Sequence, residues 1–136
     1  MHLAGLFAAV CLAAPAASAQ SAIAVAQIPF AFTVGGTQYP AGAWLIQDTQ
    51  SNPLLQKLRS ADGKHQLMVM TVRIDGGNAA GPAKLTFRRY GGEHFLSEIW
   101  RQGGDGAGIG PGRAERELIA AGSRPQTVVL VLAGAK

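Results

Sequence analysis

From residue 28 onward the apolar residues recur at nearly every second position, and glycine or proline interrupts the pattern before any run grows long. Successive side chains of a strand point to opposite sides, so this alternation commits the chain to strands with one buried face. The first such run is Ile28-Pro29-Phe30-Ala31-Phe32-Thr33-Val34, and Pro29 near its start implies an edge or entry position. Gly35-Gly36 and Pro40-Ala41-Gly42 read as turns around a short connection, followed by a strand over 43–49 carrying Trp44, Ile46 and Asp48 on one face. Ser51-Asn52-Pro53 breaks the chain before a strand over 54–60. Ala61-Asp62-Gly63-Lys64 is a tight hairpin signal, because Asp-Gly supplies the positive φ angles of such a turn.

The returning strand over 65–74 places Met68, Met70, Val72 and Ile74 on one face and Leu67, Val69, Thr71 and Arg73 on the other. Both faces are fairly apolar, which predicts a central position. Residues 75–82 form a Gly/Ala loop, and 83–90 and 93–101 pair around Gly91-Gly92. Residues 103–112 hold six glycines in ten, which predicts a flexible linker or loop. The stretch 113–121 (RAERELIAA) predicts the one helix, with Gly122 where a C-cap belongs. The continuous apolar run 127–133 reads as a strand covered on both faces and paired with early strands. The expected fold is therefore all-β: a small antiparallel β-barrel or β-sandwich of about seven strands with one short C-terminal helix, the barrel weakly preferred.

The first nineteen residues follow a different rule. An apolar run from Leu3 to Ala14 precedes Pro15 and the small residues Ala17-Ser18-Ala19, the pattern of a signal peptide cleaved between Ala19 and Gln20. The run is shorter than the roughly 20 apolar residues that cross ~30 Å of hydrocarbon. The start lacks the usual Lys or Arg, and lipidation of Cys11 is the lesser alternative, since Val10 rather than a small residue precedes it. Residues 20–27 are read as a lead and 28–136 as a single β domain, with no transmembrane segment after processing. Cys11 is the only cysteine, so the processed chain folds without disulfides and without thiolate chemistry. The expected location is periplasmic or extracellular.

Several segments, in this order, resemble a family of small exported bacterial β-domain proteins without an assigned activity: IPFAFTVGG with PAG soon after, LRSADGK, LTFRRYG with HFLSEIW, and AEREL before an apolar terminal strand. The resemblance spans Ile28 to Leu132, with Trp44 standing where tyrosine is usual. It implies export and a β fold, and carries over no catalytic or ligand residue.

The residues give little chemistry to build on. His94 and Glu98, four apart on a strand, lie ~13 Å apart, too far to share one metal ion; His65 and His94 sit beside turns. Ser51, Ser60, Ser97 and Ser123 stand outside any G-x-S-x-G elbow, and the glycine-rich stretch lacks the Lys-Ser/Thr ending of a phosphate loop. No catalytic residue, metal or cofactor is implied. The remaining clue is a net charge of +4, with Arg73, Lys84, Arg88, Arg89 and Arg101 on neighbouring strands. The candidate contact surface is Arg73, Arg88, Arg89, Tyr90 and Arg101, suited to an anionic envelope polymer or another envelope protein and, given export, not to nucleic acid. The leading expectation is a non-catalytic binding or structural module of the cell envelope. The alternatives are a small-ligand carrier with an internal apolar cavity and, third, a hydrolase-type enzyme. The aromatics Phe30, Phe32, Trp44, Phe87, Phe95 and Trp100 are expected in the core.

Overall fold

The computed structural model describes residues 22–47, 52, 54–75, 81–101 and 106–134. The expected signal segment and its cleavage point at Ala19 and Gln20 lie outside the described residues.

Among the described residues the strands are β1 (Ala22–Ile28), β2 (Phe32–Val34), β3 (Thr37–Tyr39), β4 (Gly42–Gln47), β5 (Leu55–Ser60), β6 (Gln66–Met70), β7 (Val72–Ile74), β8 (Lys84–Tyr90), β9 (Glu93–Trp100), β10 (Gly106–Gly108), β11 (Gln126–Val131) and β12 (Ala133–Gly134). The described residues also hold one helix, α1 (Arg113–Ala120), between β10 and β11. The first sheet runs β12-β1-β4-β5-β6; the second runs β11-β8-β9-β10-β7 and also holds β2 and β3. Among the described residues pairing is antiparallel except where Thr33 of β2 meets Phe95 of β9. The fold is all-β and sandwich-like, and the sheets do not close into a barrel.

The hairpin at 61–64 forms as its residues dictate. Gly63 has φ +77°. The Ser60 hydroxyl donates to Asp62 Oδ1 at 2.6 Å and accepts from the His65 N–H at 2.9 Å, while the Lys64 N–H donates to the same Asp62 oxygen at 2.9 Å. The Ser60 hydrogen bond holds the Asp62 carboxyl below its ordinary pKa, and the Lys64 N–H acts in the same direction.

The core lies between the sheets. Phe32, Trp44, Leu58, Leu85 and Phe87 are fully buried, each contributing roughly 2 kcal/mol through removal of apolar surface from water. Phe32 is its hub, meeting Trp44 edge-on at 5.3 Å and Phe87 at 5.9 Å between ring centroids. The Trp44 indole N–H donates to the Pro40 carbonyl at 3.2 Å, which satisfies its polar atom inside the apolar layer.

Several expectations from the sequence need correction. Residues 22–27, expected in the 20–27 lead, form strand β1 together with Ile28, held between β4 and β12. The strand expected over 28–34 is interrupted at 29–31, where Pro29 offers no N–H to a ladder. The strand over 65–74 is not central. It bends at Thr71, with β6 pairing β5 in one sheet and β7 pairing β10 in the other. Thr71 anchors the bend, its N–H and its hydroxyl both donating to the Leu54 carbonyl at 2.8 and 2.7 Å.

The glycine-rich 103–112 stretch is not uniformly a flexible loop, because Gly106–Gly108 form β10 between β9 and β7. The apolar terminal run is likewise covered on one face only. Val128 and Leu130 pack on the core, while Val129 and Val131 are 52% and 62% exposed. Like 65–74, this run changes sheets, β11 pairing β8 and β12 pairing β1 across Leu132. The expected helix is found over Arg113–Ala120, followed by Gly122 at φ +92°.

Candidate functional site

The β8–β9 pair positions most of the expected contact residues, and a bulge decides where they point. Thr86 faces Glu98 and Phe87 faces Leu96, so Ser97 is an extra residue on β9. The Ser97 hydroxyl donates to the Thr86 carbonyl at 2.9 Å, and its own carbonyl accepts the Ile109 N–H at 2.8 Å. Past the bulge the alternation of β9 is shifted by one. Phe95 consequently joins Arg88 and Tyr90 on the outer face, and His94 turns inward to stack on Phe30 at 3.7 Å.

Arg88 and Tyr90 do not form an open basic surface. Both reach Glu115 of α1, which is 2% exposed. The Arg88 Nε donates to Glu115 Oε2, its Nη2 donates to Oε1 at 3.0 Å and to the Ile109 carbonyl at 3.0 Å, and the Tyr90 hydroxyl donates to Oε2 at 2.7 Å. The hydrogen bond to Glu115 raises the Arg88 pKa, opposed by desolvation. Burial raises that of Tyr90, and its bond to Glu115 acts in the same direction. This cluster fastens the helix to the second sheet.

Arg89 lies on the opposite face of β8 and donates through Nη2 to the Gln126 side chain. Beside it, burial and then the Arg89 charge hold the His94 imidazole below its ordinary pKa, which favours the neutral ring against Phe30. His65 lies near Trp44, with ring centroids 6.3 Å apart, and Glu98 accepts the Trp100 indole N–H at 2.8 Å. His65, His94 and Glu98 thus occupy three separate environments. Among the described residues no group of three His, Cys, Asp or Glu is placed to hold a metal ion.

Arg73 and Arg101 are brought together. A cleft of about 370 Å³ opens between the sheets beside the Thr71 bend, with Arg73 of β7 and Arg101 after β9 in its lining. Gln56 supplies a polar wall from the first sheet, and Ile99 and Ala107 are apolar parts of the lining. The bend creates the cleft, because it directs β6 and β7 into different sheets. A smaller hollow of about 270 Å³ lies under the N-terminal turn of α1, against Val34, Phe95 and Ile109. Its buried carboxylate, Glu115, is the one already held by Arg88 and Tyr90.

The five expected contact residues therefore fall into three places: Arg73 and Arg101 at the cleft, Arg88 and Tyr90 under the helix, and Arg89 beside Gln126. Gln56 and Thr71 are further polar residues of the cleft lining, outside the five expected contact residues. A buried glutamine looks like any polar strand residue until its face is known. Among the described residues no helix is long and apolar enough to cross a membrane. No protein-family model, no curated protein and no solved structure matches this chain.

Proposed function

We propose that the chain is an exported, non-catalytic binding module of the cell envelope, and that it holds an anionic group in the cleft between its sheets. The observation that carries this reading is the convergence of Arg73 and Arg101 on one cleft. Guanidinium groups match carboxylate and phosphate geometry, and a recess between two sheets strengthens their field relative to a flat surface. Among the described residues the lining holds no carboxylate and no imidazole, and the Thr71 hydroxyl is committed to the Leu54 carbonyl. That composition suits holding a ligand better than transforming one.

An anionic polymer fits the position, since a cleft at the edge of the sandwich leaves a long chain free to run past it. A carrier with an internal apolar cavity has less support, because the interior is occupied by Trp44, Phe32, Phe87, Leu58 and Leu85.

The test is fractionation of cells expressing the full chain, with a salt wash of the envelope pellet. Retention should fall as ionic strength rises, because exposed charges are screened within roughly 8 Å at physiological salt. Arg73→Gln/Arg101→Gln should reduce retention several-fold, while Arg89→Gln should leave it unchanged. Retention indifferent to salt, or unaltered in the double variant, would overturn the reading.

A further inference from the structure

The outer face of the second sheet carries two rows of side chains, each crossing five strands. Residues directly opposite one another in a ladder share a face. Val131, Lys84, Trp100, Gly106 and Ile74 are such successive partners across β11, β8, β9, β10 and β7. Val129, Thr86, Glu98, Gly108 and Val72 form the adjacent row. Each row spans four inter-strand gaps, roughly 19 Å at ~4.8 Å per gap. Helix α1 sits over the neighbouring Arg88–Tyr90 end of this sheet through Glu115. Among the described residues Val129, Val131 and Val72 remain 52%, 62% and 67% exposed.

The face is also levelled. A Cβ on Gly106 would stand 2.8 Å from the Trp100 ring and one on Gly108 2.9 Å from Ile74. The two glycines therefore let these side chains lie down across β10 instead of standing away from it. Apolar side chains left exposed at both edges of one sheet face, on either side of a half-buried Trp100, mark an interaction site.

Its charges indicate the partner. The two rows contain one cation, Lys84, and one anion, Glu98, and both touch Trp100. The Lys84 ammonium stands 5.5 Å from the ring centroid, and the Glu98 carboxylate accepts the indole N–H at 2.8 Å. A two-fold axis through the face near Trp100 would bring Lys84 of one copy to Glu98 of the other, and the reverse. Such reciprocity is what an isologous contact requires. An anionic polymer or an anionic membrane surface would instead favour a cationic face, and this one is balanced. We infer that this face is the interface of a homodimer, with Lys84 and Glu98 paired across the axis and the exposed valines buried around them. The same contact covers the outer face of β11, where no charged residue stands between Gln126 and Val131 to discourage disordered association. The inference is independent of the cleft reading, because Arg73 lies on the opposite face of β7 and stays accessible in such a dimer.

The test is sedimentation velocity on the purified chain across a concentration series, with far-UV circular dichroism to verify folding. The wild type should show a concentration-dependent dimer. Lys84→Glu and Glu98→Lys should each weaken it roughly tenfold or more, since each sets like charges together across the axis. The combined Lys84→Glu/Glu98→Lys chain should recover the dimer. Val72→Lys, at a well-exposed position, should also dissociate it and serves if a charge reversal fails to fold. A wild type monomeric at every concentration, a dimer indifferent to the single reversals and to Val72→Lys, or single reversals that weaken a dimer the double reversal does not restore would each overturn the inference.

Discussion

Glu115 shows how far one residue can redirect the meaning of others. Read along the sequence, Arg88 and Tyr90 sit in a basic strand far from the helix that carries Glu115, and each looks free to face solvent. Folding brings α1 across β8 and buries the Glu115 carboxylate beneath three hydrogen bonds from those two side chains. A buried carboxylate requires partners, because desolvating an unpaired charge costs several kcal/mol. Arg88→Met removes the principal partner and leaves that charge buried, so it should destabilise the chain by about 3 kcal/mol. Arg88→Met/Glu115→Leu removes both charges and should recover most of that loss. Urea unfolding of the two variants beside the wild type measures the difference, and equal losses in both would show that packing, rather than the ion pair, sets the cost.

At the scale of elements, β10 is where composition and structure part most clearly. Gly-Gly-Asp-Gly-Ala-Gly reads as a linker because glycine carries the largest backbone entropy to lose. The reading misses the reason for glycine here, which is space: Trp100 lies against Gly106 and Ile74 against Gly108. Only the pairing with β9 and with β7, the latter distant in sequence, reveals that requirement. The bulge at Ser97 was hidden for a related reason. Simple alternation puts Phe95, Ser97 and Ile99 on one face, whereas the extra residue sends Phe95 to the helix side and His94 to the core side. By contrast, the Asp62-Gly63 hairpin was legible, since its geometry is made by residues within the turn itself. Gly106→Ala should force the Trp100 ring off β10 at a cost of roughly 1–2 kcal/mol. The accompanying sign is a red-shifted tryptophan emission; an unchanged spectrum and stability would mean that the close contact carries no weight.

At the scale of the whole molecule, the alternation announced a β fold but could not tell one sheet from two. The distinction rests on two strands that change sheets, at Thr71 and at Leu132, and nothing in a period of two marks a crossing. The 65–74 run looked central because both of its faces are apolar. The actual cause is that the inward Leu67 belongs to the core while Met68, Met70 and Val72 face outward near a corner. Two continuous strands that each belong to both sheets have a thermodynamic consequence. Neither sheet can unfold without pulling β6–β7 and β11–β12 from the other, and Phe32 packs between Trp44 of the first sheet and Phe87 of the second. The sheets should therefore melt as one unit, as small domains with a shared core usually do. Trp44 and Trp100 report on different sheets, so Trp100→Phe isolates a first-sheet signal and Trp44→Phe a second-sheet signal. Each variant's fluorescence should trace the same urea transition as its own far-UV circular dichroism. A fluorescence midpoint displaced from the circular dichroism midpoint in either variant would mean that the corners are hinges, and that the cleft beside Thr71 can open without the rest of the molecule.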